Sequence, residues 1–437
     1  MSINRRRFLE MATVTGAGAL ATGCTVTHSG DANMGAASVG FGAPQAGLPA
    51  AIAALKPMTD GVVPISDDER RARIAKAQRL MAEQKLDAIF MEGTTSMFYF
   101  ANMRWGQSER TFGLVIPADG ELAYVCPGFE EDRARELIKF GKDVRVWQED
   151  ESPYKVIAGI LKDRGVTGKV GIEERLRFFV YDGVRQEMPS LQFVSATPVT
   201  AGCRMIKSPA EIALMTRASE ITLQAIGATF KSLKEGMTNQ QVSESVAATT
   251  KKLGGKADGA LVIFGKYTAF PHGSIQPQRL KEGDVVLLDA GCNVEGYISD
   301  ITRTTVFGKA TPRQREVWEI ERRAQDAAFG AAKPGATCES VDAAARKVIT
   351  DAGFGPGYKT PGLPHRTGHG IGLDGHEWTN FVKGNKTKIE PGMCFSDEPT
   401  IVIYGEFGVR LEDCLYITES GPRMFTKQSP AIDQPFG

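Results

Sequence analysis

Acidic residues set into apolar strand-like runs constrain this chain more than any other feature. Val285-Val286-Leu287-Leu288 leads directly into Asp289-Ala290-Gly291, and after a short interval Ile298, Asp300 and Thr302 alternate on one face of a second strand pattern. Farther on, Phe395-Ser396-Asp397-Glu398-Pro399 is strand-like, and in Val409-Arg410-Leu411-Glu412-Asp413 the side chains of Arg410 and Glu412 point to one side. A carboxylate taken out of water is costly unless it is paired or bound to a cation. The alternative, surface acids in loops, is disfavoured by the apolar flanks of Asp289, Glu398 and Glu412. A fold that buries these strands must therefore bring their acids to a common source of positive charge.

The histidines point to the same region. Of five in the chain, His272, His365, His369 and His376 fall within or beside Gly/Pro-rich segments of the C-terminal half, and only His28 lies elsewhere. A core histidine is usually structural, but Pro364-His365-Arg366-Thr367-Gly368-His369-Gly370 followed by His376-Glu377 concentrates three in one short stretch, which predicts a shared site. Four carboxylates and one imidazole carry four negative charges when ionised. That balances two divalent ions better than one, and a carboxylate-rich donor set favours Mn²⁺, with Co²⁺ or Zn²⁺ as alternatives.

At 437 residues the length suits two domains and a short appendage. Lys plus Arg equal Asp plus Glu at 52 each, so there is no positive field for a phosphate backbone, and nucleic acid is not an expected partner. No run of eighteen apolar residues occurs, so the mature protein is expected to have no transmembrane segment. Residues 1–24 read as a targeting segment: Arg5-Arg6-Arg7-Phe8-Leu9 precedes a mildly apolar run and resembles a twin-arginine export signal, which predicts a periplasmic protein, a basic cytoplasmic tail being the alternative. Cys24 closes that segment as a candidate lipidation site and hence a lipid anchor, although Ala21 stands where such sites usually carry Leu; cleavage farther on is the alternative. The remaining six cysteines form no CxxC pair and read as free core thiols.

Residues 25–65, rich in Gly, Ala, Ser and Pro, suit a linker or extended arm. Ser66 and Glu69 have capping-box spacing at the start of a helix. Strand patterns at 87–91, 112–116, 122–126, 143–148 and 169–173 then alternate with helical ones near 129–140 and 153–164, predicting a small α/β domain over 66–203. Ser208, Pro209 and Glu211 make a second helix start, so a boundary is placed near Arg204–Lys207 and a second domain over 204–437, with long helices near 311–332 and 339–352.

The order Asp289, Asp300, His369, Glu398, Glu412 resembles the five-ligand set of the pita-bread metallopeptidases, which include methionine aminopeptidase, aminopeptidase P and prolidase. The likeness extends to Asp-Ala-Gly at 289–291, Ser-Asp-Ile-Thr-Arg-Thr at 299–304, Thr-Gly-His-Gly-Ile-Gly at 367–372, Pro391-Gly392-Met393 and Arg410-Leu411-Glu412-Asp413. His272, His365 and His376 look like the accessory histidines of the proline-specific branch, and the overall likeness, from about residue 65 onward, is to short bacterial Xaa-Pro dipeptidases. The creatinase branch shares the fold without the metal ligands, which are intact here.

The resemblance implies an α/β N-terminal domain followed by an α+β pita-bread catalytic domain, and a homodimer acting on short proline-containing peptides. It further implies a two-metal hydrolase in which a hydroxide bridging the ions attacks the Xaa-Pro carbonyl. Asp300 and Glu412 would bridge the ions, Asp289 and His369 would each bind one, and Glu398 would both ligate and shuttle the proton. His376 would steady the oxyanion, His272 would hold the proline side, His365 would line the pocket and Arg410 would fix the ligand carboxylates. Aminopeptidase P acting on longer peptides, another metal-dependent reaction on the same scaffold, and a non-catalytic peptide- or protein-binding module are the competing readings.

Overall fold

The computed structural model describes residues 49–436, so the expected export signal and Cys24 lie outside the described residues. A short helix, Ala50–Ala53, begins the described chain. The segment after it is docked rather than free: the Met58 N–H donates to the Leu253 carbonyl at 2.8 Å, and the Arg217 guanidinium reaches the Met58 carbonyl.

Ser66 caps the helix Asp67–Gln84 by accepting the Glu69 N–H at 3.1 Å. The expected reciprocal bond is not made, because Glu69 turns to a stronger partner, the buried guanidinium of Arg73 at 2.7 Å, and also accepts from Ser208 Oγ at 2.8 Å. The strands β1 (Ala88–Glu92), β2 (Gly113–Pro117), β3 (Ala123–Pro127), β4 (Asp143–Trp147), β5 (Lys169–Ile172) and β6 (Gln192–Ser195) form one mixed sheet in the order β4-β3-β2-β1-β5-β6. The first three are buried along their whole length, which is why they read as continuous apolar runs.

The second helix start forms in full. Ser208 accepts from the Glu211 N–H, Glu211 reaches back to the Ser208 N–H, and Pro209 opens the helix Pro209–Phe230. Three long antiparallel strands follow, β7 (Lys256–Phe264), β8 (Val285–Val294) and β9 (Tyr297–Val306). The apolar run Val285–Leu288 is only the first part of β8: the strand does not end at Asp289-Ala290-Gly291 but continues through it to Val294, because it pairs with β9 along its whole length as a hairpin.

The helices Pro312–Ala331 and Cys338–Asp351 pack on each other, sharing an apolar core with the strands that follow. Those strands are β10 (Gly368–Gly370), β11 (Glu377–Phe381), β12 (Cys394–Asp397), β13 (Thr400–Ile403), β14 (Phe407–Arg410), β15 (Asp413–Thr418) and β16 (Gly421–Met424). β11-β10-β12-β15-β16 make one sheet and β13-β14 a separate ribbon. Among the described residues the six cysteines are free and buried, and no helix is long and apolar enough to cross a membrane.

Candidate metal centre

The β8–β9 hairpin supplies the first two carboxylates. Asp289 stands opposite Thr302 and Asp300 opposite Gly291, so both acids project from the same face, one diagonal step apart. Glu412 joins them through an isolated backbone bridge with Thr302, whose hydroxyl donates to Glu412 Oε2 at 2.6 Å. The expectation that Arg410 and Glu412 share one strand is corrected. Arg410 ends β14, β15 starts at Asp413, and Glu412 lies between the two because β9 captures it.

Arg410 ties the set together. Its guanidinium donates to Asp289 Oδ2 at 2.5 Å, to Thr302 Oγ at 3.0 Å and to the Pro271 carbonyl at 3.1 Å, and lies 3.9 Å from Glu412 Oε2. It thus fixes two carboxylates and the segment that carries His272.

His369 enters from β10, where its backbone N–H donates to Ser396 Oγ at 3.0 Å. Its Nδ1 faces the Gly370 carbonyl at 3.1 Å; a carbonyl only accepts, so Nδ1 holds the proton and Nε2 keeps its lone pair. Nε2 faces Glu398 at 3.2 Å and Asp300 at 3.8 Å. Glu398 follows the last residue of β12 rather than lying within a strand; Pro399, with no N–H, cannot continue the ladder. Donor atoms of Asp300, His369 and Glu412 lie within 4.8 Å of one another.

The electrostatics show what such a set lacks. Burial, then the neighbouring Asp289 and Glu398, pushes the Asp300 carboxyl well above the usual carboxylate range, and Arg410 opposes this only in part. Burial with Asp300 and Glu398 does the same to Glu412. Burial lowers His369 to about 4, leaving it neutral, as a metal ligand must be. One arginine is too little positive charge for these carboxylates to ionise together. The donor set, four oxygen ligands and one neutral nitrogen, fits two divalent cations in both charge and chemistry.

The accessory histidines surround this centre. The His376 ring stacks on that of His369, with centroids 3.9 Å apart. An Arg366 guanidinium nitrogen lies 2.9 Å from His376 Nδ1; because a guanidinium only donates, the His376 proton is placed on Nε2. Although the residue as a whole is exposed, the partial desolvation of a ring stacked on His369, then His369 and Arg366 themselves, lowers His376 to about 4, so it is a neutral donor. His365 bonds the Arg366 carbonyl through Nδ1 at 2.7 Å and Thr400 Oγ through Nε2 at 3.0 Å, and burial lowers its pKa. His272 is exposed, yet near enough to depress both His365 and His376.

Other residues of the site were not anticipated. Arg366 carries no ion pair among the described residues, and it lines a cavity of 340 Å³ with His376, Trp378, Glu174 and Arg175. Glu377, noted only as a neighbour of His376, is buried against Arg204 and against Lys207 at 3.0 Å. Burial alone would raise its carboxyl, but Lys207 and Arg204 pull it down to about 2. Thr302, which alternates with Asp300 on one face of its strand, holds both Glu412 and Arg410.

Comparison with known proteins follows the same division of the chain. Residues 73–206 match the Creatinase/Prolidase N-terminal domain and residues 213–419 match Metallopeptidase family M24. A Xaa-Pro dipeptidase of Lactobacillus delbrueckii subsp. lactis is 33% identical over 363 residues, covering 82% of this chain and 97% of that protein. The crystal structure of a prolidase from Thermococcus sibiricus superposes with a TM-score of 0.76 at 30% identity, over 83% of this chain and 98% of that one. An X-Pro aminopeptidase from Thermotoga maritima gives 0.68 at 25% identity, over 80% and 97%. On this fold, with this N-terminal domain and this site, the chain belongs to metallopeptidase family M24, as the sequence resemblance implied.

Proposed function

We propose that this metallopeptidase is a Xaa-Pro dipeptidase working with two divalent ions, Mn²⁺ first among them. The observation that carries the reading is the convergence of Asp289, Asp300, His369, Glu398 and Glu412 on one face around Arg410, with three more histidines beside them. Asp289, Asp300, Glu412, His369 and Glu398 would hold the ions. Bound there, divalent ions lower the pKa of water enough to give a nucleophile at neutral pH and polarise the scissile carbonyl. Glu398 takes the proton of the attacking water on its carboxylate and returns it to the proline nitrogen as the bond breaks. His376, with its proton on Nε2, donates to the developing oxyanion. His272 holds the proline side of the substrate and His365 lines the pocket.

A dipeptide presents a free carboxylate next to the scissile bond. Arg366, beside His376 and with no acidic partner among the described residues, supports dipeptidase over aminopeptidase P, because it offers that carboxylate a cation. The test is a panel of Ala-Pro, Leu-Pro, Leu-Ala, Ala-Pro-Ala and Arg-Pro-Pro with Mn²⁺-loaded protein. Xaa-Pro dipeptides should be cleaved and Leu-Ala left nearly untouched, since a pocket built for the ring loses about 1–3 kcal/mol of packing without it. Tripeptides cleaved as fast as dipeptides would move the assignment to aminopeptidase P, and Leu-Ala cleaved at the rate of Leu-Pro would overturn proline specificity.

The finer organisation is part of the same proposal: an export signal over 1–24, an arm over 25–65, an N-terminal domain over 66–203, a catalytic domain over 204–437, and a homodimeric, periplasmic enzyme with Cys24 as its candidate lipid anchor. Changing Arg5 and Arg6 to Lys keeps the charge but should leave the precursor in the cytoplasm. Unchanged export would refute the twin-arginine route.

A further inference from the structure

His376 presents an unusual combination, an exposed side chain on a tightly pinned segment. One residue after it, the Glu377 carboxylate accepts from the Leu373 N–H at 2.9 Å, from the Asp374 N–H at 3.2 Å, from Lys207 Nζ at 3.0 Å and from Arg204. Two residues before it, Asp374 accepts from Thr95 Oγ at 2.7 Å, from Arg175 at 2.9 Å and from Arg204 at 2.6 Å. Thr95 opens a helix of the N-terminal layer and Arg175 follows β5, while Arg204 ends the helix Thr197–Arg204 and Lys207 directly precedes the Ser208 cap of the next helix. The fit is close on the other side as well: a Cβ at Gly372 would stand 2.8 Å from Glu377 Oε2, and the Gly372 carbonyl accepts the Ile298 N–H of β9 at 2.8 Å.

We propose that Glu377 is a positioning residue for His376, and that the N-terminal layer, through Thr95, Arg175 and Arg204, sets the place of that histidine over the reacting carbonyl. The proposal rests on the reading of His376 as an oxyanion donor. Burying Arg204, Lys207 and Glu377 together is an expensive way to stabilise a fold, since apolar groups of similar volume do as well or better. What the network supplies is a fixed backbone on both sides of one residue. An exposed imidazole held only by stacking on His369 and by Arg366 would otherwise sample several positions, and misplacement by about 1 Å costs up to about 100-fold in rate.

The test is a double-mutant cycle. Arg204→Lys retains the charge but, on a shorter side chain, withdraws the single nitrogen, Nη2, that bridges Asp374 and Glu377; Thr95→Val removes one tie to Asp374 without unburying a charge, and serves if the first variant folds poorly. Each should lower kcat about 10-fold or more with KM within about twofold. In a His376→Ala background the same changes should alter kcat by less than about twofold, because the group they position is gone. Additive losses in the two backgrounds would overturn the proposal, since a purely structural role acts whether or not His376 is present. The cycle is read on whichever dipeptide the wild-type protein turns over fastest, so failure of the proline reading leaves it interpretable.

Discussion

Glu398→Gln is expected to lower kcat on Xaa-Pro dipeptides by about 10³- to 10⁵-fold, the largest loss of any single substitution considered. Two contributions combine. A positioned general base is worth about 10²–10⁴-fold, and replacing a ligand carboxylate by an amide weakens the hold on the ions as well. The neutral amide keeps the shape, so its contacts to Ser396 Oγ at 3.4 Å and, through the backbone, to Thr367 should survive and the fold with them. His376→Ala should cost about 10²–10³-fold, as for one lost oxyanion donor, with little change in metal content. Steady-state kinetics on metal-saturated variants separates the two. Equal, small effects would mean that the roles of both residues are misassigned.

The second large effect is on stability. In metal-free protein Asp300 and Glu412 bind their protons more tightly than in the unfolded chain, where they titrate near the ordinary carboxylate value. The folded state therefore holds more protons than the unfolded one between those two ranges, and stability falls as pH rises through that window. Each unit by which a folded-state carboxyl stands above its unfolded value costs about 1.4 kcal/mol once the pH has passed it. Bound cations reverse the sign of the effect by favouring the ionised carboxylates.

Thermal melts of chelator-stripped and Mn²⁺-loaded protein from pH 5 to 8 should accordingly diverge, the stripped form losing ground as pH rises. Asp397 and Glu321 are also buried with raised carboxyls, but both forms share that contribution, so the difference between the two curves isolates the site. Parallel curves would contradict the account.

Much of this site was legible because its chemistry is local in sequence. Asp289 stands in an apolar strand, Asp300 alternates with Ile298 and Thr302, and His369 sits in a glycine-rich segment between two other histidines. A buried acid or a cluster of histidines is informative on its own, without knowledge of what it touches. The helix start at Ser208 was legible for the same reason, since the two bonds of its capping box join residues three apart.

What escaped depends on contacts across the chain. Glu69 should have completed its cap by local rules, but the buried Arg73 lies on the same face of its helix and competes for it. Arg410 and Glu412 alternate as a strand would, yet Thr302, more than a hundred residues earlier, draws Glu412 out of the ribbon. Glu377 meets Arg204 and Lys207, each about 170 residues away, and no spacing rule connects them. Arg366 lies within the histidine-rich stretch, but only the placement of His376 Nδ1 beside it shows that it fixes which nitrogen of that ring can donate.

The central claim, that these buried carboxylates hold two catalytic divalent ions, is tested most directly by counting them. Protein stripped with a chelator and titrated with Mn²⁺ in a calorimeter should bind close to two ions per chain, recover hydrolysis of Ala-Pro as they bind, and release protons in weakly buffered solution because Asp300 and Glu412 must ionise. Asp300→Asn should lower the count. Full activity in protein shown to be metal-free, or no divalent ion bound at millimolar Mn²⁺, would contradict the account.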